Sequence, residues 1–381
     1  MPYAHIRGWG KYVPPNVVTN DDLARKINTT DEWIRTRTGI AERRIAGEGE
    51  TAVTMGIQAA REALQMADVD PAEVDLVIAA TATPDRIFPA TACMIQDAIG
   101  AQGGAFDLSA GCSGFIYALS VAAKMIEAGQ VRRALVVGTE ALSHITDWSD
   151  RTTCVLFGDG AGAFYLEADE EPGGLLAFEL GSDGSGGHLL TGPIVGNSYT
   201  PAVAPELSRQ YLVMHGRAVY RFATRVMGQA AEKALRRAGL SVEDIDLFIP
   251  HQANLRIIES AAKHLKLPME KVYVNIHRYG NTSAASIPVA CCEAVEEGRL
   301  NPNDTVVMVG FGAGLTWAAA VAQWPKEVGR RARSKPRAAR SWLRNQRARL
   351  LSMRHRLGHQ VDELLEAGLN LSRSKEEAQE Q

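Results

Sequence analysis

The sequence predicts an α/β fold built from two pseudo-symmetric halves, and three observations carry that reading. First, short apolar runs recur at Asp75-Leu-Val-Ile-Ala-Ala80, Ala134-Leu-Val-Val-Gly138, Asp246-Leu-Phe-Ile-Pro250 and Thr305-Val-Val-Met-Val-Gly310. Each has the length of a buried strand. Second, helical stretches over 114–128 and 286–297 lie between them, and buried strands alternating with helices imply a mainly parallel sheet. Third, the order repeats. Strand, Gly111-Cys-Ser113, helix and strand in the first half match strand, Gly280-Asn-Thr282, helix and strand in the second. Strand to turn spans 37 residues (75 to 112) against 35 (246 to 281), and turn to next strand 26 (112 to 138) against 29 (281 to 310). This is a long-period duplication, not a solenoid. It places Cys112 and Asn281 at equivalent helix starts that face each other across the midline.

The halves divide as 1–172 and 173–325. Between 168 and 210 Gly, Ser and Pro accumulate, as in Gly181-Ser-Asp-Gly-Ser-Gly-Gly187, which predicts turns and a loop over a site. Residues 326–381 change character. They hold 14 Lys+Arg and 7 Asp+Glu, a net +7, against 27 and 37, a net −10, for residues 1–325. Leu343, Leu350, Leu357, Leu364 and Leu371 recur every seven residues, but Arg347 and Arg354 fill the positions four later. Half of a coiled-coil signal is present, and a basic helical extension is the expectation.

Composition excludes several classes. With 381 residues, 46% apolar and 22% charged, the chain is an ordinary globular mixture. No apolar run reaches the roughly 18 residues of a membrane span. The segment Met1–Lys11 lacks the basic flank and apolar stretch of a signal peptide. Cys93, Cys112, Cys154, Cys291 and Cys292 are odd in number and show no CxxC spacing. They suit neither a disulfide scaffold nor a metal site, so a reducing, cytoplasmic compartment is expected.

Three positions carry chemistry. Cys112 sits in Leu108-Ser-Ala-Gly-Cys-Ser-Gly114, where flanking glycines permit a sharp turn and close substrate approach. A thiol at a helix N-terminus is expected to have a lowered pKa. The bland alternative is a small cysteine filling a tight turn; the glycines and the repeat tip the balance towards a nucleophile. His251 ends a strand in Phe248-Ile-Pro-His-Gln-Ala-Asn254, where α/β sites gather, and Asn254 is placed to orient it or touch ligand. Asn281, after Gly280 and before a helix, reads alone as an N-cap, while its repeat relation to Cys112 argues for a catalytic amide. Gly310-Phe-Gly-Ala-Gly314 fails the GxGxxG spacing, and its use as an oxyanion loop fits better.

Together these segments resemble the beta-ketoacyl-acyl-carrier-protein synthase III family of thiolase-fold condensing enzymes. The resemblance runs from about residue 3 to residue 324. It rests on Asp31-Glu-Trp-Ile-Arg-Thr-Arg-Thr-Gly39, Ala110-Gly-Cys-Ser-Gly-Phe115, Phe157-Gly-Asp-Gly-Ala-Gly162, Pro250-His-Gln-Ala-Asn-Leu-Arg256, Gly280-Asn-Thr-Ser-Ala-Ala-Ser286 and Phe311-Gly-Ala-Gly-Leu-Thr-Trp317. It implies a thiolase-like fold, two halves forming a layered αβαβα core, and a decarboxylating Claisen condensation of acyl-CoA, chiefly acetyl-CoA, with malonyl-acyl carrier protein. By this resemblance Cys112 takes the acyl group, His251 and Asn281 stabilise the malonyl-derived enolate, and the N–H groups of Cys112 and Ala313 form a second oxyanion hole. The family places a glycine where Ala313 stands. The resemblance also implies CoA binding by Trp33, Arg37, Arg151 and Asn254, an acyl pocket closed across a homodimer by Phe88, and carrier-protein contacts by Arg221, Arg256 and Lys263. It implies no metal and no cofactor beyond the CoA thioester substrate.

Two other readings fit the same residues. One is a related condensing or acyl-transfer enzyme of secondary metabolism, with 184–210 and Asp85–Pro89 shaping the choice. The other is a non-catalytic scaffold acting through the tail, against which the intact triad speaks. The tail itself has no counterpart in the family pattern. It reads as a helix docking an acidic partner, as a nucleic-acid or anionic-membrane contact, or as a solvated appendage, the commonest fate of a charge run.

Overall fold

A computed structural model describes residues 1–193 and 210–326, together with positions 346, 347, 350, 352–354 and 357 of the tail. Two sheets form its framework. The first has the order Tyr3–Tyr12, Gly160–Asp169, Arg133–Glu140, Leu76–Ala80, Gly104–Leu108. The second has the order Leu247–Pro250, Thr305–Gly312, Thr316–Gln323, Leu175–Ser182.

The expectation of a mainly parallel sheet needs correction. Leu76–Ala80 pairs parallel with both neighbours, but Gly160–Asp169 runs antiparallel to both of its own. In the second sheet only Leu247–Pro250 and Thr305–Gly312 are parallel. The cause is connection length. Residues 313–315 alone join Thr305–Gly312 to Thr316–Gln323, and a parallel crossover needs a dozen residues or more. The strand Leu175–Ser182 likewise replaces part of the loop expected over 168–210, because Leu175, Ala177, Phe178 and Glu179 are all buried along it. Residues 194–209 of that expectation lie outside the described residues.

The helices Gly114–Glu127 and Ser286–Glu296 lie between the sheets. Phe115, Ile116, Ala118, Leu119, Ala122 and Ala123 of the first, and Ile287, Ala290 and Cys291 of the second, share one core with Ile78, Val136, Ile249 and Met308. Helices covered on both faces must be apolar nearly all round, and these are. Outside, Ala52–Ala67 packs on the first sheet through Met55, Ala59, Ala60 and Ala63, a spacing of three to four residues. Thr51 and Thr54 close its start as a capping box. Gly216–Ala238 and Leu255–His264 cover the second sheet. The result is the layered αβαβα thiolase-like fold.

The duplication is geometrically regular. A short 3₁₀ turn, Gly111–Ser113, opens the first central helix, and Ser283–Ala285 opens the second. Gly138 packs against Ala284, and Gly310 against Cys112, so each half's strand abuts the other's turn. Both Gly138 to Gly310 and Cys112 to Ala284 are 172 residues apart. Thus Cys112 and Asn281 are not equivalent positions: Cys112 matches Ala284, and Asn281 lies just before the matching 3₁₀ turn.

In the tail, the described positions are helical. Arg347 pairs with Asp70 at 2.8 Å, and the Ser352 hydroxyl donates to Asp97 at 2.9 Å. The rest of the basic extension expected over 326–381 lies outside the described residues. Among the described residues no helix is long and apolar enough to cross a membrane.

Candidate active site

Cys112, His251 and Asn281 line one cavity of about 270 Å³. Each arrives by a different local route. Cys112 is the middle residue of the 3₁₀ turn, half-buried, with Gly111 before it at φ 53. A side chain at Gly111 would meet the Ala313 nitrogen at 2.8 Å, and one at Gly312 would meet the Cys112 nitrogen at 2.4 Å. Glycine at both positions therefore lets the two backbones close, and Cys112 and Ala313 both line the cavity. Ala313 is not among the described non-glycine residues with positive φ, so alanine fits there without backbone strain.

The Cys112 thiol departs from the sequence expectation. Burial pushes its pKa up to about 12, a hydrogen bond with Ser283 pulls down, and the nearby Glu140 carboxylate pushes up. Desolvation outweighs the effect of the helix start, so Cys112 is held as a thiol.

His251 follows the strand Leu247–Pro250 and is buried. Its backbone N–H donates to Val309 at 2.7 Å, and its Nδ1 lies 2.6 Å from Ser286 Oγ. The ring meets Phe311 edge-on at 5.6 Å. Burial lowers its pKa to about 3, which makes the imidazole neutral. Nε2 is buried without a partner among the described residues. When Ser286 donates to Nδ1, Nε2 carries the ring proton and becomes a donor.

Asn281 is buried, and its Oδ1 accepts from the Ser283 N–H at 2.8 Å. Its backbone donates to Leu156 and accepts from Gly158. With the oxygen committed, the carboxamide offers its N–H₂. Three groups thus converge: a thiol and two neutral N–H donors.

At the mouth, Arg37 and Arg151 both stack on Trp33, with guanidinium carbons 4.5 and 5.1 Å from the ring centroid. Arg151 also donates to the Asn28 carbonyl at 2.9 Å. Asn254 caps the helix Leu255–His264, accepting from the Arg256 N–H, and donates to the Arg37 carbonyl at 3.0 Å. Trp33, Arg37 and Asn254 line the cavity with the triad. Arg221 and Arg256 border a neighbouring open groove, joined there by Arg217 and Tyr220. Lys263 is exposed two turns further along its helix, away from that groove. Phe88 is 82% exposed.

The sequence reading gave no role to several residues around the triad. Ser283 and Ser286 stand in Gly280-Asn-Thr-Ser-Ala-Ala-Ser286, where small polar side chains carry no signal of their own. Glu140 ends a strand behind Cys112, where a charged residue inside an apolar run was the available clue.

The fold and this pocket define a thiolase-type condensing enzyme. The model of the 3-oxoacyl-[acyl-carrier-protein] synthase III family matches residues 106–184, and that of its C-terminal part matches residues 235–324. The beta-ketoacyl-[acyl-carrier-protein] synthase III of Roseiflexus sp. (strain RS-1) is 53% identical over 326 residues, 84% of this chain and 98% of that protein. The solved synthase III of Thermus thermophilus is 48% identical, with a TM-score of 0.80 over 85% of this chain and all of the other. That of Aquifex aeolicus is 46% identical with a TM-score of 0.78, over 84% and 100%. The chain belongs to the beta-ketoacyl-[acyl-carrier-protein] synthase III family.

Proposed function

We propose that the protein starts fatty-acid synthesis by condensing an acyl-CoA, chiefly acetyl-CoA, with malonyl-acyl carrier protein. The products are 3-ketoacyl-carrier protein, CO₂ and CoA. The observation that carries this is the convergence of Cys112, His251 and Asn281 in one cavity, which Ala313 also lines.

In this reading Cys112 attacks the acyl-CoA carbonyl, the C–S bond to CoA breaks, and an acyl-Cys112 thioester remains. Malonyl-carrier protein enters next. His251 Nε2–H and Asn281 Nδ2–H donate to its thioester oxygen, which stabilises the enolate as CO₂ leaves. Neutral donors suit this step, since a buried imidazolium would be costly. The enolate carbon then attacks acyl-Cys112. The N–H groups of Cys112 and Ala313 hold the tetrahedral oxyanion, and its collapse frees the cysteine. No metal or further cofactor is required.

Trp33 and Arg151 flank the adenine, which enters by displacing the exposed Arg151 from the ring. Arg37 pairs with phosphate, and Asn254 faces the pantetheine arm. Arg221 and Arg256, with Lys263 further along, meet the acidic carrier protein. Exposed Phe88 suits a homodimer in which it closes the neighbour's acyl pocket. The five free cysteines fit a reducing cytoplasm.

The test is intact mass after incubation with acetyl-CoA and with longer and branched acyl-CoAs, without malonyl-carrier protein. A gain of one acyl group, absent in Cys112→Ala, is expected, and the best-loaded chain names the primer. No gain with any CoA overturns acyl-CoA as donor.

A further inference from the structure

Glu140 is fully buried at the end of the strand Arg133–Glu140, behind the nucleophile. Its neighbours are all donors. Thr83 Oγ1 lies at 2.7 Å, Ser283 Oγ at 2.9 Å, Thr81 Oγ1 at 3.3 Å and the Ala82 N–H at 3.1 and 3.2 Å. Among the described residues no cation is paired with it. The titratable group facing it is Cys112. A carboxylate surrounded in this way accepts at every lone pair, so a chain of donors ends on it.

Ser283 links the two groups. Its hydroxyl donates to Glu140 Oε1 at 2.9 Å, and Ser283 lines the same cavity as Cys112 and interacts with the thiol, so one proton serves both neighbours. When it donates to Glu140, it accepts from Cys112 S–H. The chain S–H···O–H···O then points from thiol to carboxylate.

The backbone supplies an independent observation. Ser283 has φ 49, a left-handed conformation that L-residues avoid. The matching position in the other half, 172 residues earlier, is Gly111 at φ 53. Glycine fills that slot without strain. A serine there retains a hydroxyl that the backbone disfavours.

We propose that Glu140, through the Ser283 hydroxyl, takes the Cys112 proton during acyl loading and returns it to the departing CoA thiolate. Cys112–SH passes its proton to Ser283 as Ser283 passes its own to Glu140. The thiolate sulfur bonds the acyl carbon, and the bond from that carbon to the CoA sulfur breaks. Glu140 returns the proton by the same hydroxyl, leaving acyl-Cys112, CoA–SH and a carboxylate. One negative charge is present throughout, so thiolate and carboxylate never stand side by side. His251 is the competing base, but its ring is desolvated and its Nδ1 is engaged by Ser286.

This inference rests on the proposed loading of Cys112 by acyl-CoA. The experiment is rapid-quench acyl loading from acetyl-CoA, followed by intact mass across pH, for wild type, Glu140→Gln, Ser283→Gly and the double variant. The relay predicts that each single variant loads about 10²-fold more slowly at neutral pH, with its rate profile displaced to higher pH. It also predicts that the double variant is no slower than either single one. The opposite result is equally readable. If Glu140 only repels the thiolate, Glu140→Gln loads as fast or faster, and iodoacetamide alkylates its Cys112 at lower pH. Normal loading in both single variants, with loss in His251→Gln, assigns the proton to His251 instead. Ser283→Gly matches the glycine of the other half and keeps the test open if Glu140→Gln fails to fold. Failure of wild type to gain acyl mass would strike the loading reading itself, before the relay.

Discussion

The two halves place the same strand, 3₁₀ turn and central helix 172 residues apart, as in Cys112 and Ala284, yet they use them for different chemistry. In the N-terminal half the turn carries the nucleophile on a left-handed glycine. In the C-terminal half the turn is Ser283-Ala-Ala285, and the reactive groups stand on its flanks, Asn281 before it and His251 at the neighbouring strand end. The strand ends differ in the same sense. Thr81 follows Leu76–Ala80 where His251 follows Leu247–Pro250, and Glu140 lies where Gly312 lies. Duplication therefore supplied one facing pair of turns. On the proposed reading, side-chain choice then separates acyl attachment from enolate stabilisation.

The sharpest way to break this division is Asn281→Ala. If the C-terminal half serves only the malonyl step, acyl loading by intact mass stays within a factor of two or so. Decarboxylation of malonyl-carrier protein falls by about 10²–10³-fold, the usual effect of deleting one oxyanion donor. Loss of loading in this variant would place Asn281 in the first chemical step and dissolve the comparison.

A smaller effect comes from exchanging the residues that open the turns. Gly111→Ser puts a Cβ 2.8 Å from the Ala313 nitrogen and a left-handed strain on a non-glycine residue. We expect a loss of roughly 2–3 kcal/mol in urea unfolding, from the conformational penalty and the backbone shift together. Ser283→Gly relieves the same strain, and its stability should remain within about 1 kcal/mol of wild type. Equal destabilisation by both changes would show that the turns are constrained alike and that Ser283 is not held there for its hydroxyl.

Four of the strands, both central helices, Cys112 and His251 were legible in the sequence because each leaves a local mark, whereas Asn281 alone reads as an N-cap. Buried runs have a length, glycine flanks a strained turn, and a polar residue at a strand end stands out. What the sequence hid depends on distance in space. The antiparallel strand Gly160–Asp169 lies at the centre of its sheet only because Tyr3–Tyr12 pairs on its far side. The register of the repeat needed the abutment of Gly138 on Ala284 to be set. Sequence spacing alone matches Cys112 with Asn281, three positions out of register. Glu140 and Ser283 are 143 residues apart in the chain, and no spacing pattern links them. The thiol's raised pKa was hidden for a similar reason, since burial is a property of the assembled pocket.

The mildest test uses acid, and it should touch one half alone. His251 has a folded-state pKa of about 3, lowered by burial, against about 6.5 when unfolded. Between those values the unfolded chain binds a proton that the folded chain refuses. Stability from this group is thus fully present above about pH 6.5 and is lost as pH falls towards 3. From pH 7.5 to pH 5 the loss amounts to about 2 kcal/mol, at roughly 1.4 kcal/mol per pH unit below the unfolded pKa. His251→Asn keeps a polar group of similar reach and removes the titration. Urea unfolding at the two pH values should therefore show an acid loss about 2 kcal/mol smaller in the variant than in wild type. The strand end of the other half carries Thr81, which has no such titration, so its variants should leave the wild-type acid loss in place. An unchanged acid loss in His251→Asn would mean that His251 is solvated or charged in the folded protein. It would then be a poor neutral donor, and the stabilising role of the C-terminal half would rest on Asn281 alone.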